Sequence, residues 1–114
     1  MTRPTKVYIS GPMSGLPDHN YPAFAKAARE LREAGYEVVN PAELDRPGAI
    51  TWEDHMRVDI AAMMDCTAIC ILPGSDASKG AMLERMIASK LGFYAGTVGD
   101  FMKSIALKQH VHVC

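Results

Sequence analysis

Two carboxylates occupy positions where apolar residues are expected. Glu84 falls on a helical stripe with Ala81, Ile87, Ala88 and Leu91, at spacings of three, four and seven. Asp59 falls on another stripe, with Trp52, Met56 and Met63 at i, i+4, i+7 and i+11. Such stripes pack on a core. Burying an unpaired charge costs several kcal/mol, on the order of a domain's whole margin of stability. Each residue therefore needs a partner, a shifted proton equilibrium or a function. The ordinary structural reading pairs Asp59 with Arg57 and Glu84 with Arg85 or Lys79. The chemical reading places both in a dry cleft. There an ionised carboxylate is a nucleophile, or stabilises a cationic sugar centre, and a second one handles a proton. On this reading the dipole of its helix helps to keep Glu84 ionised.

SKGAMLE, residues 78–84, adds an anion site. Ser78 and the amides of Lys79 and Gly80 stand at a helix start, and Gly80 lets backbone approach a ligand. The plain alternative is an ordinary serine N-cap. Neither a Walker A loop nor a dinucleotide fingerprint is present. Tyr8 lies in a strand that ends near this site; it is a core aromatic or a phenol that holds a carboxylate. Other constellations are weaker. Cys66 and Cys70 read as buried thiols. His110, His112 and Cys114 could clip a metal but read better as a tail or edge strand. His19 and His55 have no partners at metal spacing, though either could line the cleft.

These residues need a scaffold. Lys6–Ser10, Tyr36–Asn40 and Thr67–Leu72 read as strands, the last apolar on both faces as in a parallel sheet. Tyr21–Ala34, Trp52–Met64 and Ala81–Leu91 read as helices, with Gly35 closing the first and Thr51 capping the second. A helix over 101–107 and a last strand at Val111–Val113 complete the reading. Strand and helix alternate, which predicts one α/β domain over 1–114: a Rossmann-like, flavodoxin-like parallel sheet flanked by helices. Ligands of such sheets bind at the carboxyl ends of the strands, among the loops GPMSG, PAELDRPG and PGSDASKG.

With 114 residues and a net charge near −1, the chain has no global field for nucleic acid or an anionic membrane. Its apolar runs, such as Ala68–Leu72, are too short to span a bilayer. Three cysteines without framework spacing and no signal-peptide pattern imply a reducing cytoplasm.

Taken in order, YISGPMSG, GYEVVNPAEL, DIAAMMDCTAICILPG and SKGAMLE resemble the nucleoside 2-deoxyribosyltransferase superfamily, in a small bacterial and phage branch, from Val7 to Leu91. The resemblance implies cleavage of the N-glycosidic bond of a deoxynucleoside or deoxynucleotide, with no metal or cofactor, because the sugar forms an ester with the protein itself. It makes Glu84, in G-x-x-x-E, the nucleophile, Tyr8 its orienter and Asp59 the acid/base at the nucleobase. Transferases of free nucleosides carry Asp six residues before the glutamate, whereas 5′-monophosphate hydrolases carry Ser. This chain has Ser78, which points to a monophosphate cradled by Ser78, Gly80 and the Ser10–Gly11 loop. Pro12 and Met13 depart from the basic, glycine-rich first loop of those hydrolases. The expected partners are a small nucleotide or nucleoside and a second copy of the chain, in a homodimer or larger. Deoxyribosyl transfer between bases, a non-catalytic nucleotide sensor and a purely structural domain are the competing readings.

Overall fold

The sheet has the strand order β2-β1-β3-β4, every neighbouring pair parallel. Its strands are β1 (Lys6–Ser10), β2 (Glu37–Val39), β3 (Ala68–Ile71) and β4 (Tyr94–Gly96). The helices are α1 (Tyr21–Glu33), α2 (Trp52–Met63) and α3 (Lys79–Lys90), and backbone over 98–104 forms a fourth, α4. This is a computed structural model, and it describes residues 5–104.

Right-handed crossovers between parallel strands dictate the layers. The chain steps one way from β1 to β2 and the other way from β2 to β3, so α1 lies on one face and α2 and α3 on the other. Alternation along β1 sorts the core accordingly. Val7 and Ile9 pack with Phe24, Ala27, Ala28 and Leu31 of α1, and with Phe101 of α4. Tyr8 packs on the opposite face with Met63, Ile69 and Ala88. The expected Rossmann-like α/β fold is the one observed. Its order reverses between β1 and β3, where diverging loops open a crevice.

Local chemistry sets the element ends. Thr51 caps α2 through a reciprocal capping box with Asp54. Gly35, at φ 98°, takes the left-handed conformation that ends α1. β2 is shorter than the run Tyr36–Asn40, because Asn40 leaves the ladder and its Oδ1 accepts from the Ala42 amide. α3 begins two residues before Ala81, with Ser78 as its cap. Leu91 lies past the last turn and is 57% exposed, so the expected stripe stops at Ala88. The strand Tyr94–Gly96 had no sequence signal, being three residues between glycine-bearing segments. The expected strand Val111–Val113 and the His110, His112 and Cys114 grouping lie outside the described residues. Helix was expected from Phe101; it begins at Val98 and runs to the last described residue, 104.

Gly11 is where β1 and β3 come too close for a side chain. A Cβ there would stand 2.9 Å from Leu72 Cβ, and the Leu72 amide donates to the Ser10 carbonyl at 2.9 Å, which pins both backbones. We expect Gly11→Ala to cost roughly 1–3 kcal/mol, the usual range for overpacking. Thermal melts should show it, while Gly99→Ala, where the new Cβ meets only Thr97 Oγ1 at 3.7 Å, stays within about 0.5 kcal/mol.

Candidate active site

Glu84 sits on the inner face of α3, 5% exposed, above the carboxyl end of β1. Tyr8 and Ser10 alternate onto the same face of β1, and both are fully buried. The Tyr8 hydroxyl donates to Glu84 Oε2 at 2.8 Å, and the Ser10 hydroxyl donates to Oε1 at 2.7 Å. Each carboxylate oxygen is thus held by its own hydroxyl, which fixes the rotamer and aim of the group. The ordinary pairing partners are engaged elsewhere: Arg85 bonds Asp76 at 2.5 Å, and the Lys79 ammonium lies 3.9 Å over the Trp52 ring.

Burial pushes the Glu84 carboxyl up to about 7. Desolvation is the main cause; the hydrogen bonds from Ser10 and Tyr8 oppose it, and the charge on Asp59 adds to it. The expectation that the helix dipole keeps Glu84 ionised therefore needs correction. Glu84 is the sixth residue of α3, and the dipole acts mainly within the first turn. The Tyr8 phenol is itself raised well above its ordinary value, by burial first and then by the Glu84 charge, so it remains a donor.

Asp59 faces the same space from α2. Its partner is Arg46, not Arg57. Arg46 Nη2 donates to Asp59 Oδ1 at 2.6 Å, while Arg57 turns outward to Asp54 at 3.1 Å. Arg46 also donates to the Pro41 carbonyl at 2.8 Å and to the His55 carbonyl at 3.2 Å. Burial raises the Asp59 carboxyl and Arg46 pulls it down, with burial prevailing.

These groups line one cleft of about 810 Å³ at the carboxyl ends of the strands. Tyr8, Asp59, Ser78, Gly80, Gly11 and Glu84 all border it. Ser10 does not; its hydroxyl is spent on Glu84, so its expected place in a phosphate cradle becomes a role in holding the carboxylate. Ser78 Oγ accepts the Ala81 amide at 3.2 Å as N-cap and keeps its own proton to donate. Gly80 is explained mainly by packing, since a Cβ would press on Met56 Sδ at 3.1 Å where α3 meets α2.

Arg46 and Tyr21 escaped the sequence reading, whereas His19 and His55, read as candidate lining residues, do border the cleft. Arg46 is the only arginine in the three loops that leave the strand ends, and that is the signal by which it could have been found. His19 and Tyr21 border the cleft through an unusual turn. Asp18, His19 and Asn20 all have positive φ, 52°, 53° and 61°, and none is glycine. That conformation costs roughly 1–2 kcal/mol per residue. Asn20 Nδ2 steadies the loop by donating to the Pro12 carbonyl at 2.9 Å. Among the described residues no cluster of three or more His, Cys, Asp or Glu could hold a metal ion. Cys66 and Cys70 are buried free thiols, pushed up to about 11 and about 12 by burial. No described helix is long and apolar enough to cross a membrane.

The chain is thus an α/β domain with a doubly wound parallel sheet, whose switch-point cleft, the candidate site, holds a buried, doubly hydrogen-bonded glutamate. A family model described as a domain of unknown function (DUF4406) matches residues 5–95, and the chain belongs to that family. No curated protein matches it.

Proposed function

We propose that the protein cleaves the N-glycosidic bond of a 2′-deoxynucleoside 5′-monophosphate through a covalent glycosyl ester on Glu84, as the likeness to the nucleoside 2-deoxyribosyltransferase superfamily implies. The observation that carries this reading is the Glu84 carboxylate, buried and held through both oxygens, beside Asp59 in a cleft large enough for a nucleotide. A Glu84 oxygen forms a bond to the anomeric carbon as the carbon–nitrogen bond breaks. The electron pair leaves with the base, and the proton that neutralises the base passes through Asp59. Water then opens the ester, releasing the 5-phosphorylated sugar and restoring Glu84. Tyr8 and Ser10 keep the nucleophile aimed and share its charge. The reading includes a homodimer or larger assembly, on the resemblance alone, and sedimentation analysis tests that part.

The test is incubation with a panel of deoxynucleosides and their 5′-monophosphates, with released base read by chromatography. A second, labelled base in the mixture separates the outcomes. Free base and sugar phosphate support hydrolysis. Label entering the nucleotide pool supports transfer between bases. Saturable binding without turnover supports a sensor.

Ser78 decides the substrate's charge. A hydroxyl and backbone amides at a helix start suit a dianion and serve a nucleoside poorly. Ser78→Ala removes one hydrogen bond to a charged group, worth roughly 1.5–3 kcal/mol. We expect monophosphate affinity to fall about tenfold to hundredfold and nucleoside affinity to change little. Equal losses would move Ser78 to the sugar; no loss would leave it a helix cap.

A further inference from the structure

We infer that Arg46 is a positioning residue of the cleft: its guanidinium clamps the Asp59 carboxylate, holding Oδ1 and leaving Oδ2 as the group that meets the ligand's base. The inference rests on the proposed glycosidic reading for what Asp59 does, and on geometry for what Arg46 does.

Arg46 lies in the loop between β2 and α2, thirteen residues before Asp59. Its side chain is 18% exposed and that of Asp59 is 12% exposed. Three acceptors surround the guanidinium: Asp59 Oδ1, the Pro41 carbonyl in the turn that follows β2 and the His55 carbonyl in the first turns of α2. A planar fork bonded to two backbone carbonyls has one orientation, so the carboxylate it meets has one orientation too. Among the described residues nothing else hydrogen-bonds Asp59, and no buried side-chain polar atom lacks a partner. Oδ2, without a bond, is therefore reached from the cleft that Asp59 borders.

The clamp also governs when Asp59 carries a proton. Four charged or titratable groups face it: Arg46 from the loop, His55 from its own helix, Glu84 from α3 and Tyr8 from β1. Arg46 pulls the Asp59 carboxyl down against its burial, and its charge lowers the Glu84 carboxyl as well. Removing Arg46 thus disturbs both carboxylates in the same direction, upward.

A double-mutant cycle with carboxyl titration tests this. Arg46→Gln should lower kcat/KM on the best deoxynucleotide about tenfold to hundredfold, the range for one lost charged hydrogen bond. In an Asp59→Asn background the same change should cost less than about threefold, because the group it positions is gone. Equal losses in the two backgrounds would overturn the inference. Independently of activity, carbon-13 NMR of the Asp59 carboxyl, assigned through Asp59→Asn, should show its titration midpoint moving up in Arg46→Gln; an unmoved midpoint would also overturn it. Should the glutamine variant fail to fold, Arg46→Lys keeps the charge but cannot reach three acceptors. It should hold the midpoint near that of the parent and still lose at least severalfold in kcat/KM, and full activity would refute the clamp. A parent with no turnover on any deoxynucleotide refutes the glycosidic reading, and the NMR result then judges Arg46 by itself.

Discussion

Glu84→Gln should lose at least about a thousandfold in turnover and at the same time become more stable than the parent at pH 8. The first effect follows from chemistry: an amide cannot form and release the glycosyl ester, and losing a covalent step costs several kcal/mol of transition-state stabilisation. The second follows from linkage. Burial raises Glu84 from its ordinary 4.5 to about 7 in the fold. Between those values the folded protein binds the proton that the unfolded chain has lost. The stabilisation is complete below about pH 4.5, is lost as pH rises to about 7, and stays lost above it. The shift corresponds to roughly 3 kcal/mol. The neutral amide escapes this loss. Tyr8 and Ser10 can adapt, since a hydroxyl accepts as readily as it donates. The melting temperature of the variant relative to the parent should therefore climb from pH 4.5 to 7 and then level. Turnover within about tenfold of the parent would end the nucleophile assignment. A flat difference in stability would mean that Glu84 ionises inside the fold as readily as in the unfolded chain.

The second large effect is expected when both hydroxyls are removed. Tyr8→Phe with Ser10→Ala strips the carboxylate of both donors, each worth roughly 1.5–3 kcal/mol to a charged group. We expect a loss of about a hundredfold to ten-thousandfold in kcat/KM at pH 7, with each single variant between this and the parent. Because those bonds lower the Glu84 carboxyl against its burial, their loss raises it further, so less nucleophile is ionised at neutral pH. The ratio of parent to variant should then narrow between pH 7 and 8.5. A ratio independent of pH would assign the hydroxyls to aim alone. No loss in either single variant would make the arrangement a packing detail, and the sensor reading would then be the better one.

Much of this site was legible in the residues. Periodicity placed the helices and strands nearly where they stand, and the polar exceptions Glu84 and Asp59 stood out because they broke it. Alternation along Lys6–Ser10 put Tyr8 and Ser10 on one face, and strand order put the cleft at the carboxyl ends. Helical spacing already argued against the pairings first considered. Arg57 and Asp59 are two apart and Glu84 and Arg85 one apart, so neither pair shares a face.

Which groups meet the buried charges was settled only in three dimensions. Glu84 finds Tyr8 and Ser10 across more than seventy residues, and Asp59 finds Arg46 across a loop with no periodic pattern. The loop's course is fixed by the Pro41 and His55 carbonyls, whose need for donors is invisible in one dimension. β4 likewise owes its place to the ladder offered by Ala68, Ile69 and Cys70 rather than to its own three residues. The protonation of Glu84 was decided the same way. Sequence supplies the carboxyl group and its place in a helix, but desolvation depends on how completely the sheet and α2 exclude water around it, and that sum of distant contacts moves the carboxyl to about 7.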